Sequence, residues 1–189
     1  MSSLIASLRL VAVTMAACVV GYAAVILGVG QLFTPGTANG SLVTTADGRV
    51  VGSRLIAQKF TRPEYFWPRP SAADYDGAGA GGSNESPTST DLAARADSLI
   101  ARYGATARNP LPPELAAASG SGLDPHVSED AALYQAERVA RARGLPPSRV
   151  EALIRERAFA PGGPLTRRRV VNVLELNLAL DSASAPPPR

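Results

Sequence analysis

The densest group of reactive side chains lies between residues 119 and 126, where the sequence reads Ser-Gly-Ser-Gly-Leu-Asp-Pro-His. A glycine- and serine-rich loop in front of a helix can present backbone N–H groups to an anion. The common phosphate-binding loop, however, carries a lysine directly after its last glycine. The single lysine of this chain is Lys59, far from the loop in sequence. The pattern therefore disfavours nucleotide binding by this loop alone.

Ser121, Asp124 and His126 are the residue types of a catalytic triad, and the last two are also metal-ligand types. Side chains this close in sequence rarely converge with the hydrogen-bond geometry that a nucleophile requires. A metal site would need two further ligands, and His126 is the only histidine. The favoured interpretation is that Asp124 or His126 bonds the neighbouring backbone and fixes the turn into the next helix. Gln135 on that helix is predicted to be a solvated polar residue.

Composition narrows the function classes further. The chain has 189 residues, 19 basic and 16 acidic, with a net charge of +3. This small excess is not the clustered positive charge that a nucleic-acid-binding surface needs. One cysteine and one histidine exclude a disulfide framework and a zinc site built from several Cys and His.

An uncharged apolar segment near the N-terminus predicts a transmembrane helix over residues 10–32. About 20 apolar residues suffice to cross the hydrocarbon core of a bilayer. A cleaved signal peptide is the alternative, but its apolar region runs to only about 7–15 residues. Gly21, Ala24 and Gly28 share one helical face, and small residues in this arrangement let a partner helix approach closely.

The flanking charges predict the orientation of this helix. Arg9 precedes it, whereas the first basic residue after it is Arg49. Basic residues favour the cytoplasmic side of a membrane, so the N-terminus is expected to be cytoplasmic. The predicted organisation is a cytoplasmic N-terminus (1–9), a transmembrane helix (10–32), an extracytoplasmic α/β domain (33–182) and a disordered tail (183–189). The predicted fold class is thus a single N-terminal transmembrane helix followed by one small α/β extramembrane domain.

Within the domain, capping and periodicity predict three helices and a strand. One helix carries Leu92 to Tyr103 on its apolar face and stops at Gly104. A second runs from the capping residue Ser128 to Arg143 and ends at Gly144. A third is predicted to begin at a capping box formed by residues 148–151. Alternating leucines over residues 174–180 predict a final half-buried strand.

An aromatic segment with three prolines, residues 60–70, contains the only tryptophan, Trp67. The favoured interpretation is a small aromatic cluster that anchors an irregular segment. A ligand-binding surface is the alternative.

Several of these blocks, taken in order, resemble the C subunit of the Kdp potassium-transporting P-type ATPase of bacteria and archaea. The blocks that carry the resemblance are Asn39-Gly40-Ser41, Gly52-Ser53, Leu55-Ile56, Gln58, Tyr65-Phe66, Arg69-Pro70-Ser71-Ala72, Gly81-Gly82-Ser83-Asn84, residues 119–126, Gln135, Arg138-Val139-Ala140 and residues 171–181. No single block is specific for this family, whereas the occurrence of all the blocks in this order is.

The resemblance implies a non-catalytic subunit of a potassium uptake pump in the cell membrane. Its implied partners are a channel-like potassium-binding subunit, an ATP-hydrolysing P-type subunit, a small single-helix subunit and the lipid bilayer, with no nucleic acid. ATP, magnesium and potassium would be handled by those partners, so this chain would have no cofactor, metal or catalytic residue of its own. The family's C subunit is described as stabilising the complex and raising its affinity for ATP.

Residues with candidate structural or partner-contact roles are Gly21, Ala24, Gly28, Ser119, Ser121, Asp124, His126, Gln135, Asn172 and Asn177. The alternative function is a membrane-anchored extracytoplasmic enzyme, or an adaptor, that uses the loop at residues 119–126.

Overall fold

The computed structural model of the protein describes residues 2–45 and 47–184, and the chain divides into two compact units after Val51. The first unit consists mainly of an apolar helix, and the second is a small α/β domain. The predicted fold class is therefore confirmed.

The N-terminal helix ends at Phe33, and its 31 residues from Ser3 to Phe33 form a candidate membrane span whose most apolar part is not buried. It consists of α1 (Ser2–Met15), one π-helical stretch (Ala16–Gly21) and α2 (Tyr22–Phe33). At 1.5 Å per residue this helix spans about 46 Å, more than the roughly 30 Å hydrocarbon core of a bilayer. The chain thus contains a helix that is long and apolar enough to cross a membrane, as predicted, although it begins before residue 10.

A short helix and a hairpin follow. The short helix is α3 (Pro35–Ala38), and β1 (Leu42–Thr44) pairs with β2 (Val50–Ser53) in a two-stranded sheet.

The rest of the domain contains five helices, a short 3₁₀ turn and a second two-stranded sheet within the described residues. In chain order these are α4 (Thr90–Tyr103), α5 (Pro113–Ala116), β3 (His126–Ser128), α6 (Glu129–Arg143), α7 (Pro147–Arg157), the 3₁₀ turn (Gly163–Leu165), β4 (Val170–Asn172) and α8 (Val173–Ser184). Strands β3 and β4 are antiparallel, with Val127 opposite Val171.

The core of the domain forms where α6 packs on α7 and α7 on α8, against the β3–β4 sheet. Alanines line the buried face of α6, and Ala131, Ala132 and Ala140 are fully buried. Small side chains allow the neighbouring elements to approach this helix closely, while Ile154 and Leu176 fill the space between them.

Two predicted helices have the predicted caps. The hydroxyl of Ser128 accepts a hydrogen bond from the backbone N–H of Ala131 at 3.1 Å, and α6 ends at Gly144 with φ +65°. Helix α4 likewise ends at Gly104 in the left-handed conformation. The prediction that a capping box at residues 148–151 starts the third helix was wrong, because α7 begins earlier, at Pro147. Proline's fixed φ suits the first helical position.

The strand predicted over residues 174–180 was wrong, because this stretch belongs to α8. Val173, Leu176, Asn177 and Leu180 have helical spacing and are all buried. Leu174 is buried too, so the helix is covered over much of its circumference and alternating leucines do not distinguish it from a strand. Helix α8 continues through Ser184, and the remainder of the predicted tail, 185–189, lies outside the described residues.

Candidate functional site

The loop at residues 119–126 is tied to neighbouring segments by backbone hydrogen bonds. The N–H of Ser119 donates to the carbonyl of Pro70 at 3.1 Å, and the N–H of Gly81 donates to the carbonyl of Ser121 at 2.8 Å. The N–H of Ala57 donates to the carbonyl of Leu123 at 2.8 Å. Three separate stretches of chain therefore hold this loop in place.

Gly122 is the point of closest approach in this loop. Its φ is +67°, and a Cβ at this position would lie 2.7 Å from the carbonyl oxygen of Gly81. Both the backbone conformation and the contact require glycine here. Gly82 has a similar constraint, since its Cβ would lie 2.9 Å from the carbonyl oxygen of Gly120.

Asp124 fixes the turn into β3. Its Oδ1 accepts a hydrogen bond from the backbone N–H of His126 at 3.0 Å, and its Oδ2 accepts one from Nη1 of Arg69 at 3.2 Å. The imidazole of His126 holds the pKa of Asp124 below its usual value, with help from the backbone N–H and from Arg69, while burial opposes this shift. The favoured interpretation, a carboxylate that bonds neighbouring backbone, agrees with this geometry.

Ser121 and His126 have separate partners. The hydroxyl of Ser121 accepts a hydrogen bond from the backbone N–H of Leu123 at 3.1 Å. The imidazole of His126 packs edge-on against Phe159, with ring centroids 5.5 Å apart, and its Nδ1 is 3.6 Å from Asp124. The bonds from Leu123 to Ser121 and from His126 to Asp124 each span two residues, as in a turn. Across residues 2–45 and 47–184, no group of three or more His, Cys, Asp or Glu side chains is placed to hold a metal ion.

Two buried amides clamp the irregular aromatic segment. Asn177 accepts from the N–H of Phe66 at 2.8 Å and donates to its carbonyl at 3.0 Å. Gln135 does the same for Trp67, at 2.9 Å and 3.1 Å. Gln135 is 1% exposed, so its predicted solvated role was wrong. The sequence did contain a signal for its burial: helical spacing places Gln135 beside Ala132, Ala136 and Val139, which mark the buried face of α6.

Arg138 is a residue whose role the sequence did not reveal. Its guanidinium donates to the carbonyls of Pro63 and Tyr65 at 2.6 and 3.0 Å, and to Oε1 of Gln135 at 2.7 Å. Burial lowers its pKa to about 10, so it remains charged at neutral pH.

Trp67 makes cation–π contacts with two arginines. The guanidinium carbons of Arg138 and Arg102 are 3.7 and 4.0 Å from its ring centroid. The predicted aromatic anchor of the irregular segment is therefore also a cation–π centre.

Asn172 joins the second sheet to α8. Its Oδ1 accepts a hydrogen bond from the backbone N–H of Glu175 at 3.2 Å, and its Nδ2 donates to the carbonyl of Arg54 at 2.9 Å. The first bond is that of a helix N-cap, and the spacing Asn-x-x-Glu was a sequence signal for this helix start.

Four of the candidate residues of the domain thus contact one segment, residues 66–70, whereas Ser121, His126 and Asn172 have partners elsewhere. Asn177 and Gln135 hold its first two residues, Asp124 binds Arg69, and Ser119 binds Pro70. The arrangement orders backbone and holds a buried segment in a fixed path. In the apolar helix, Gly21, Ala24 and Gly28 are not buried, and a Cβ on Gly28 would contact nothing within 4 Å.

Comparison with known proteins shows what this chain is similar to. Residues 4–182 match the family model described as KdpC: K⁺-transporting ATPase, c chain. The potassium-transporting ATPase KdpC subunit of Parvibaculum lavamentivorans is 69% identical over 181 residues, covering 96% of this chain and 97% of the relative. The KdpC subunit of Myxococcus xanthus is 48% identical over 196 residues, covering 99% of this chain and 91% of the relative. That of Nitratidesulfovibrio vulgaris is 47% identical over 190 residues, covering 96% and 95%.

Proposed function

This chain belongs to the KdpC family of potassium-transporting ATPase subunits, and we propose that its role in the pump is accessory and non-catalytic. The observation that carries the proposal is the match over residues 4–182, which includes both the apolar helix and the domain. The loop residues of the alternative enzyme hypothesis have structural partners. Ser121 and Asp124 each accept a hydrogen bond from a backbone N–H of the same loop, as residues that order a turn do.

The partners in this proposal are the other subunits of the pump: a potassium-binding channel-like subunit, an ATP-hydrolysing P-type subunit and a small single-helix subunit. ATP, magnesium and potassium are bound by those partners. The small residues Gly21, Ala24 and Gly28 are the proposed helix contact, because side-chain packing drives helix association in lipid.

The domain lies outside the cytoplasm in this proposal, with residues 1–9 inside. Arg9 supports this orientation, since short basic flanks are retained on the cytoplasmic side. Protease added to intact spheroplasts should then digest the chain beyond Phe33. Protection of this region until the membrane is opened would show the opposite orientation.

An extracytoplasmic domain acts on ATP affinity only through conformational coupling, because ATP is cytoplasmic. Such coupling amounts to about 1–3 kcal/mol, and it is limited by the subunit's differential affinity for two states of the pump. Stabilisation of the complex is the simpler part of the same role.

Purification of the tagged chain from native membranes in mild detergent tests the accessory role. The expected result is recovery of the large pump subunits in fixed proportion and potassium-stimulated ATPase activity in the same fraction. Recovery of the chain alone, or with many unrelated exported proteins, would contradict the proposal and favour a free adaptor.

A further inference from the structure

The domain contains a cavity of about 310 Å³ between α4 and the segment at residues 59–75. It has the size of a small-ligand pocket, at the lower end of the usual range of roughly 300–1,000 Å³. We propose that this cavity binds a carboxylate group with a short apolar body. The principal lining residues are Lys59, Trp67, Asp74, Tyr75, Arg95 and Arg102. The proposal does not rest on the subunit's role in the pump.

The charge of the lining favours an anion. Three of the four charged residues that line the cavity are basic, namely Lys59, Arg95 and Arg102, and the fourth is Asp74. Lys59 is paired with Asp74 at 2.7 Å. The two arginines are therefore the uncompensated charges of this wall, and they give it a net charge of about +2 when the charges are added.

Arg95 is the second unpaired cation of this wall. Its Nη1 is shielded from solvent and has no hydrogen-bond partner in the part of the chain that the structure describes, so this atom does not face the cavity. The Nε and Nη2 atoms carry three further N–H donors. An anion in the cavity that Arg95 lines would balance its charge and could accept from those donors.

Arg102 is held in place by its contact with Trp67. Its guanidinium carbon lies 4.0 Å from the ring centroid, so the indole occupies one of its faces. Its N–H groups point outward in the guanidinium plane, where a carboxylate can be bound by two parallel hydrogen bonds.

The opposite wall is rigid and strained. Asp74 and Tyr75 both have left-handed backbone, with φ +47° and +62°. The hydroxyl of Ser71 accepts from the N–H of Ala73 and of Tyr75, at 3.1 and 3.0 Å, and the phenol of Tyr75 donates to the carbonyl of Arg69 at 2.9 Å. Consecutive non-glycine residues in this conformation are uncommon and cluster at binding sites.

The apolar part of the lining selects a carboxylate with an apolar body over inorganic phosphate. Phe60, Leu99 and Pro68 provide an apolar wall that inorganic phosphate would leave exposed. A carboxylate with a short alkyl or peptide body covers this wall while its charge meets the arginines.

Trp67 is the only tryptophan of the chain and lines the cavity, so its emission reports on binding. The experiment titrates the full chain, in an uncharged detergent at constant pH and ionic strength, with butyrate. Butylammonium chloride has a body of the same size with the opposite charge, and inorganic phosphate tests the headgroup. We expect a saturable change with butyrate, none with butylammonium, and weaker binding of phosphate.

Variants test the assignment to this cavity. Arg95→Gln should weaken butyrate binding by at least about tenfold, the factor expected for one charge-assisted hydrogen bond. Arg157→Gln, an exposed position on α7, is the matched control and should leave it unchanged. Asp74→Asn should strengthen binding by about threefold, because it removes a like charge from the wall. Because Asp74→Asn is expected to strengthen butyrate binding, the test stays valid even if the Arg95→Gln variant folds poorly.

The source of the carboxylate is distinguished by the blocked peptides Ac-Ala-Glu-Ala-NH₂ and Ac-Ala-Gln-Ala-NH₂. Tighter binding of the first peptide than of butyrate identifies an acidic side chain of a polypeptide, whereas binding of butyrate alone identifies a free small acid. The proposal is overturned by no saturable response to butyrate or peptide, by tighter binding of phosphate, or by equal losses in Arg95→Gln and Arg157→Gln.

Discussion

The side-chain amide of Gln135 makes both backbone hydrogen bonds of Trp67, accepting from its N–H at 2.9 Å and donating to its carbonyl at 3.1 Å. A neighbouring strand usually provides such bonds to an extended segment. Here Gln135 on α6 and Asn177 on α8 provide them for two consecutive residues. These bonds allow an irregular aromatic segment to be buried without unsatisfied backbone groups.

Gln135→Leu should therefore destabilise the domain. The substitution leaves the buried N–H and carbonyl of Trp67 without partners, at a cost of at least about 2 kcal/mol. The expected result is a decrease in Tm of about 5 °C or more, measured by Trp67 emission for the full chain in detergent. Glu137→Ala is the control on the same helix, because its ion pair with Arg141 is exposed and should contribute little. Equal Tm values for the two variants would contradict the clamp.

Gly122→Ala should destabilise the loop at residues 119–126. The new Cβ would lie 2.7 Å from the carbonyl oxygen of Gly81, on a backbone with φ +67°. The expected cost is about 2 kcal/mol or more. Gly120→Ala is a matched control two residues earlier, since a Cβ there meets nothing within 4 Å. Thermal unfolding of both variants measures the difference, and a Gly120→Ala variant that is equally unstable would show that the close approach is not the cause.

Local signals predicted part of this fold. The helix caps at Ser128, Gly104 and Gly144 depend on a few adjacent residues, so the sequence was sufficient to place α4 and α6. The apolar helix followed from composition alone. The leucine pattern in α8 wrongly predicted a strand, because a helix buried over much of its surface and a half-buried strand can have the same alternation.

The contacts of the candidate site could not be predicted from the sequence for a different reason. Gln135 and Trp67 are 68 positions apart, and Phe66 and Asn177 are 111 apart. No local pattern specifies which backbone a buried amide will bind. The cavity residues Arg95 and Arg102 likewise come from α4, whereas Lys59 and Asp74 come from the irregular segment before it.

The charge of Asp124 should make stability depend on pH. Its folded-state pKa is lowered below 3.8, chiefly by the imidazole of His126 and also by Arg69. A lowered pKa adds stability above the ordinary carboxyl pKa, and this stability is lost as the pH falls through the folded value. Asp124→Asn keeps an acceptor for the His126 N–H but removes the charge. We expect the variant to be less stable than the parent at pH 7 and the gap to close below about pH 4. A gap that does not change with pH would show that the charge has no role.

The small-residue face of the apolar helix should contribute to assembly of the pump. Gly21→Leu with Gly28→Leu adds bulk without a clash inside the chain, since a Cβ on Gly21 has an ordinary 3.6 Å contact and one on Gly28 has none within 4 Å. Recovery of partner subunits should decrease while membrane insertion persists. Ala23→Leu, on a different face by the 100° rotation per residue, is the control. Unchanged recovery of the large subunits would exclude this face as a contact.

The last prediction concerns whether this chain binds ATP itself or only changes how the assembled pump uses ATP. The loop at residues 119–126 has no lysine after its glycines, and its polar side chains are bonded within the domain. We therefore expect calorimetry of the purified chain with Mg-ATP to show neither binding nor hydrolysis. Any effect on ATP affinity should appear only in the assembled pump, as a shift in the apparent KM for ATP in potassium-stimulated assays with and without this subunit.

The size of that shift has an upper limit. The subunit changes ATP affinity only to the extent that it binds one state of the ATP-hydrolysing subunit more tightly than another, or about 1–3 kcal/mol. This corresponds to a change in KM of about 5- to 150-fold. A decrease in total activity at constant KM would instead indicate a role in stability of the complex alone. Saturable ATP binding to the isolated chain, lost in Ser121→Ala but kept in Ser98→Ala, would show direct nucleotide contact at the loop and contradict the prediction.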